Sequence, residues 1–139
     1  MQTFLIHLHL NFWAILVSAL IQWFLGAIWY SPALFSRPWM ALLRIDTSKK
    51  PKGLALGMVS SFIGDLLLSL VLAHWVKWSG AGSFAAGAVI GFLSWLGFFV
   101  GPNFAQGIYE QRPFKLFAIN NGYWLIALLG TGGLLAVWQ

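Results

Sequence analysis

Eight Lys and Arg and three Asp and Glu are the only formally charged side chains in 139 residues, and ten of these eleven lie outside four apolar stretches. The stretches cover about residues 10–30, 54–76, 81–100 and 116–138. Each holds the roughly 20 residues that an α-helix needs to cross about 30 Å of hydrocarbon. Transmembrane strands would be about half as long and would alternate in polarity, which these stretches do not. Inside a bilayer every backbone N–H and C=O must be paired internally, so the stretches read as helices. A soluble domain is about 25% charged, whereas this chain is 8% charged and 60% hydrophobic. It lacks the polar side chains to cover a water-facing surface. The expectation is an all-α membrane protein, a single domain over residues 1–139, with four transmembrane helices forming two helical hairpins.

Residues 1–10 contain no Lys or Arg, and the first apolar run reaches Tyr30 without an A-x-A site. It is therefore expected to stay as a membrane helix and not to be cleaved as a signal. The loop of residues 31–53 carries Arg37, Arg44, Lys49, Lys50 and Lys52, and the loop of residues 101–115 carries Arg112 and Lys115. Only Lys77 is basic on the other side. The positive-inside bias places both basic loops in the cytoplasm and both termini outside. Aromatic residues fit this frame, with Trp13, Trp75, Trp78 and Trp138 at the outer ends and Trp29, Tyr30, Trp39 and Tyr109 at the inner ends. Within the first loop, Ser31-Pro32 stops the first helix. Residues 35–45 then read as a short interfacial helix with Trp39, Leu42 and Leu43 on one face. Its basic residues act as a topology anchor, with anionic-lipid recognition by Arg44, Lys49, Lys50 and Lys52 as the other reading. Arg37-Pro38-Trp39 and Arg112-Pro113-Phe114 form a faint internal repeat, one after each hairpin's first helix.

Asp65 is the charged residue that the charge pattern does not explain. It lies midway along the second stretch, where a charge costs about 2.5–3.5 kcal/mol. Ser61 and Ser69 share its helix face. Gln22, Ser94 and Trp95 lie at about the same depth and are the expected hydrogen-bond donors to it. On the first helix Asn11, Ser18, Gln22, Gly26 and Trp29 fall on one stripe. Asn103, Gln106, Asn120 and Asn121 form a candidate second polar layer at the cytoplasmic end. A proton or cation relay through Asp65 is one reading, and an interhelical hydrogen-bond anchor is the other. Gly87-x-x-x-Gly91, with Gly57-x-x-x-Ser61 and Ala127-x-x-x-Thr131 as weaker versions, mark close helix contacts.

His7, His9 and His74 fall on the outer side and could together bind a metal or a haem edge. His7 and His9 are two residues apart, however, and diverge on one helix. His74 is on the far side of its helix from Asp65. Interfacial histidines without metal are the expected reading. There is no Cys, and G-x-S-x-G, P-loop and H-E-x-x-H motifs are missing. With Asp65 and Glu110 as the carboxylates in or near the bundle, catalysis by paired acids has little to work with. No enzyme activity and no cofactor are expected.

Asn11-Phe12-Trp13-Ala14, Trp29-Tyr30-Ser31-Pro32-x-x-Phe35, Trp39 and Asn120-x-Gly122-Tyr123-Trp124-Leu125 together carry a family pattern. Over most of its length the chain resembles the domain of unknown function 1761 family, small bacterial membrane proteins with four predicted helices. The resemblance implies a bacterial inner (plasma) membrane location and brings no activity with it. Its motifs cluster at the cytoplasmic ends of the first and fourth helices, and Asp65 is not among them. The leading functional expectation is a non-enzymatic helix-packing or accessory module. Its partners would be the lipid bilayer and a second copy or a larger membrane complex, with no nucleic acid. The alternative is a small oligomeric transporter or channel that uses Asp65 as a proton or cation coupling group. A cavity reaching Asp65 would favour the transporter, and a dry, side-chain-filled interior the module.

The basic asymmetry predicts that Lys49→Cys is labelled only from the cytoplasmic side and Gln139→Cys only from outside. Labelling of Lys49→Cys by an impermeant maleimide in intact cells would overturn this orientation.

Overall fold

The computed structural model describes residues 9–49 and 51–139. Every regular element among them is helical: α1 (Phe12–Trp29), α2 (Ser36–Leu42), α3 (Leu54–Ser79), α4 (Phe84–Trp95), a π-helical turn (Leu96–Val100), α5 (Gly101–Tyr109) and α6 (Phe114–Val137). Three helices are long and apolar enough to cross a membrane: Phe12–Trp29, Leu54–Ser79 and the continuous rod Phe84–Tyr109. Their outward faces carry Phe12, Phe24, Leu56, Val59, Leu67, Val89, Leu93 and Phe98, all exposed. An apolar exterior on that scale suits hydrocarbon and not water.

Local chemistry sets the ends. Asn11 caps α1, its Oδ1 accepting the N–H groups of Trp13 and Ala14 at 3.1 and 3.2 Å. It therefore belongs to the helix end and not to the polar stripe expected along α1. Ser83 caps α4 by accepting from the Ala86 N–H at 3.2 Å. Gly80, at φ +72°, turns the chain between α3 and α4. The interfacial helix is shorter than residues 35–45, because Arg44 at φ 55° closes it one turn early. In the following turn the Ser48 hydroxyl and N–H both donate to Asp46 Oδ1, at 2.6 and 3.0 Å. These bonds hold the Asp46 carboxyl below the usual carboxylate range.

The third span is longer than expected. Gly101-Pro102 was read as the start of a loop, yet the helix runs on to Tyr109. Pro102 has no N–H and its ring crowds the carbonyl four residues back. The backbone answers by widening, so that the Gly101 N–H bonds the Leu96 carbonyl five residues away. The helix survives, and the inserted residue rotates Asn103 and Gln106 relative to α4. Gln111, at φ 54°, then ends α5. This tight turn brings Arg112 back into an ion pair with Glu110.

α6 is the hub. It packs against α1, α3 and α4, and it holds more buried residues than any other helix described. Its 24 residues are long enough to span, but Asn120, Asn121, Gly122 and Gly130–Gly133 keep its hydropathy below that of the other three. A helix with protein on several sides can carry such residues, because lipid does not meet them. Against α4 it comes backbone to backbone: a Cβ on Gly87 would fall inside the Gly132 carbonyl, and one on Gly91 inside the Leu128 carbonyl. Gly133 likewise makes room for the Phe84 ring. Gly57, by contrast, meets nothing and is not at a helix contact within the chain.

Gly87→Ala and Gly91→Ala should each destabilise the folded protein by about 1–3 kcal/mol through overpacking. Gly57→Ala should be neutral or slightly stabilising, since it gains helix propensity in open space. Thermal unfolding in detergent checks both, and equal effects at the two kinds of glycine would refute the assignment.

Candidate functional site

The site begins with a register. Gln22 on α1 is fully buried, and its Nε2 donates to Ser69 Oγ on α3 at 2.8 Å. The two helices run antiparallel, so one turn further along α1 faces one turn back along α3. That step sets Gly26 opposite Asp65. Gly26 has no side chain to offer, and its backbone lines a cavity of about 470 Å³. Gly26, Tyr30, Ser61, Gly64, Asp65, Tyr123 and Trp124 line it. Asp65 is 4% exposed, and no described residue hydrogen-bonds its carboxyl.

The expected donors to Asp65 are each committed elsewhere. Gln22 takes Ser69. Ser94 Oγ donates to its own helix at Ile90 O, 2.8 Å, and Ser61 Oγ does the same at Met58 O, 2.9 Å. This back-bonding is the ordinary choice of a helical serine. The Trp95 indole N–H reaches across to the Asn121 carbonyl at 2.8 Å. The expected cluster around Asp65 is thus divided, with Gln22 and Ser69 one turn above it and Ser94 and Trp95 on the α4 side of α6. Gln22 Oε1 and Ser18 Oγ are buried without a hydrogen-bond partner.

Tyr123 closes the cavity from α6. Its hydroxyl donates to the Gln22 carbonyl at 3.0 Å. A Cβ on Gly26 would stand 3.3 Å from that hydroxyl, so the small residue is what lets the ring in. The motif residues at the basic end assemble around it. The Trp29 indole N–H donates to Ile119 O at 3.0 Å, lying over Gly122, where a Cβ would be 3.3 Å from the ring. The Tyr30 hydroxyl donates to Asn120 Oδ1 at 2.8 Å. Trp29 and Tyr30 ring centroids stand 6.5 and 5.8 Å from Tyr123. Trp124 stands beside Tyr123 at 4.8 Å and also packs against Phe99 at 4.9 Å. Ser31 bonds back to Ile28 O at 2.7 Å, and Pro32 is exposed, so these two shape the helix end and do not join the cluster.

A second, polar cavity of about 230 Å³ lies at the basic end. Asn103, Gln106, Glu110, Arg112, Asn120 and Asn121 line it, with Tyr30 and Trp124 at its inner wall. Asn103 Nδ2 donates to Asn121 Oδ1 at 3.3 Å, and Gln106 Nε2 to Glu110 Oε1 at 2.7 Å. The amide layer expected from the sequence is therefore assembled, and the turn at Gln111 adds the Glu110–Arg112 pair that sequence reasoning missed. Tyr30 and Trp124 border both cavities. They form the partition between a polar vestibule and Asp65.

The histidines do not converge. His9 is exposed, and His74 Nδ1 bonds Leu70 O on its own helix at 2.8 Å. His7 lies outside the described residues. No three His, Cys, Asp or Glu come together as metal ligands among the described residues.

A family model described as "Protein of unknown function (DUF1761)" matches residues 13–136. The chain belongs to this family. No curated protein and no solved structure matches it. The matched segment holds both cavities and the partition between them.

Tyr123→Phe should lose the bond to Gln22 and cost about 0.6–1.7 kcal/mol, the range for hydrogen bonds between membrane helices. Gly26→Ala should destabilise as well, by displacing the same ring. Unchanged melting temperatures in both variants would show that Tyr123 does not tie α6 to α1.

Proposed function

We propose that this DUF1761 protein is a small transporter that exchanges a cation for a proton at Asp65. One observation carries this reading: the buried carboxyl has no hydrogen-bond partner among the described residues and lines a cavity of about 470 Å³. A structural anchor would be bonded to the helices it joins, and Asp65 is bonded to none of them. An ionised carboxyl in a low-dielectric setting costs about 2.5–3.5 kcal/mol, so Asp65 favours either its protonated form or a bound cation. Those two states exclude each other at one group, which is the minimum a coupled exchanger needs. The polar vestibule supports the reading by supplying a wet approach that stops at Tyr30 and Trp124, one residue pair short of the acid.

The accessory-module reading draws less support. It calls for a dry, side-chain-filled interior, whereas a cavity of about 470 Å³ reaches Asp65. In our reading α6 is a fourth membrane crossing, supported by its length of about 36 Å at 1.5 Å per residue. The basic loops lie in the cytoplasm and the termini outside, supported by the positive-inside bias. A bacterial inner-membrane location fits that frame. The protein is not an enzyme in this account, since no second carboxylate lines the cavity with Asp65 and the Ser61 hydroxyl, bonded to Met58 O, has no base beside it.

The test is proton release from acid-loaded vesicles carrying the protein and a trapped pH dye. On external addition, at least one of Na⁺, K⁺, choline or ethidium should speed internal alkalinisation over empty vesicles. Asp65→Asn should abolish the effect while eluting and melting like the wild type. No response to any of the four, or an undiminished response in Asp65→Asn, would end the proposal.

A further inference from the structure

We propose that the solute taken at Asp65 is a lipophilic organic monocation, such as a quaternary ammonium or phosphonium ion. This rests on the reading of Asp65 as the coupling carboxyl and adds the ligand class to it.

Charge comes first. Asp65 is the one formally charged side chain lining its cavity, so a single positive charge neutralises it and two would not be matched. The walls come next. Tyr30, Tyr123 and Trp124 present a continuous aromatic corner, with ring centroids 5.8 Å apart for the tyrosines and 4.8 Å for Tyr123 and Trp124. Ring faces attract a cation most when it is desolvated, and quaternary ammonium groups are the ligands that aromatic cages recognise.

An inorganic cation is poorly served here. It surrenders its hydration shell only for a full set of oxygen ligands, about six or more for hard cations. The side-chain oxygens lining this cavity are those of Asp65, Ser61, Tyr30 and Tyr123. With the two Asp65 oxygens the three hydroxyls make five at most, short of that set. An organic cation binds little water and asks for no such set. The volume fits too, since pockets for small organic molecules run from about 300 to 1,000 Å³.

Access also favours an amphiphile. From Leu54 to Gly64 the α3 residues are exposed except for half-buried Phe62. Cβ atoms on Gly57 and Gly64 would meet nothing. The cavity rim at Ser61 and Gly64 therefore opens on the apolar exterior, along the face of α3 that Gly57 and Gly64 leave open. Trp23 of α1 covers the side of Met58 and Phe62. A solute that partitions into hydrocarbon reaches Asp65 from the side without passing the polar vestibule.

The probe is radiolabelled tetraphenylphosphonium, measured by equilibrium dialysis against the purified full chain in detergent, with protein-free micelles as the blank. Saturable binding near one per chain is expected. Asp65→Asn should weaken it at least about tenfold, and Trp124→Leu about tenfold, whereas Trp124→Phe keeps a ring and should hold most of the affinity. Neutral triphenylphosphine oxide and Na⁺ should not displace the probe. Each variant is first required to melt and elute as the wild type. Absence of binding in the wild type, or equal binding by Asp65→Asn, overturns the ligand class. If Na⁺ or K⁺ alone releases protons through Asp65 and tetraphenylphosphonium does not bind, the exchanger stands and the organic cation falls. Asp65-dependent binding with no cation-driven proton release upholds the ligand class and removes transport.

Discussion

The backbone contact between α4 and α6 is the constraint on which the rest of this molecule depends. Gly87 and Gly91 on one side and Leu128 and Gly132 on the other leave no room for a single extra carbon. In lipid there is no hydrophobic force between helices, so close van der Waals contact of this kind is the main source of adhesion. Once α4 is seated, the Trp95 indole lands on the Asn121 carbonyl. The widened turn at Leu96–Val100 then carries α5 past Pro102 to the mouth of the polar vestibule. The depth and rotation of α6 are thereby set for its other neighbours.

Those neighbours meet α6 in a different way. On the α1 side the contact is made by long aromatic side chains and not by bare backbone. Trp29 lies over Gly122, Tyr30 reaches Asn120, and Tyr123 threads past Gly26 to the Gln22 carbonyl. Rings hold two helices at a distance that glycines would not, and the gap between α1, α3 and α6 becomes the cavity at Asp65. A bundle closed by glycine on one side and propped by aromatics on the other has a tight wall and an open one. The half of α3 that precedes Asp65 borders the open one.

This arrangement also explains why polar side chains sit where they do. The bond from Gln22 Nε2 to Ser69 Oγ aligns α1 with α3. Asn120 and Asn121 bond Tyr30, Asn103 and the Phe117 carbonyl, and so turn the start of α6 into the floor of the vestibule. No described residue hydrogen-bonds the Asp65 carboxyl, and Ser18 Oγ and Gln22 Oε1 are likewise without hydrogen-bond partners among the described residues. An acid without a hydrogen-bond partner in such a setting lowers stability, which is the cost that the proposed cation site would offset.

Much was legible in the sequence because membrane helices are governed by one-dimensional rules. Charge placement and apolar length marked the apolar helices, whereas the capping roles of Asn11, Ser83 and Gly80 emerge only in the structure. The pairing of Trp29-Tyr30 with Asn120-x-Gly122-Tyr123 was readable as a shared end, since both motifs lie at equal depth. The tertiary structure decided the rest. Depth along a helix says which residues are level but not how each helix is rotated, so Gln22 fell to Ser69 and Trp95 to Asn121 while Asp65 was left unpaired. The missing N–H of Pro102 is a local fact, whereas the π-turn that absorbs it is a property of the whole rod. Sequence alone could place an acid in the membrane. Whether a side chain or a space would stand opposite it depended on a one-turn register between α1 and α3, and there the chain has Gly26.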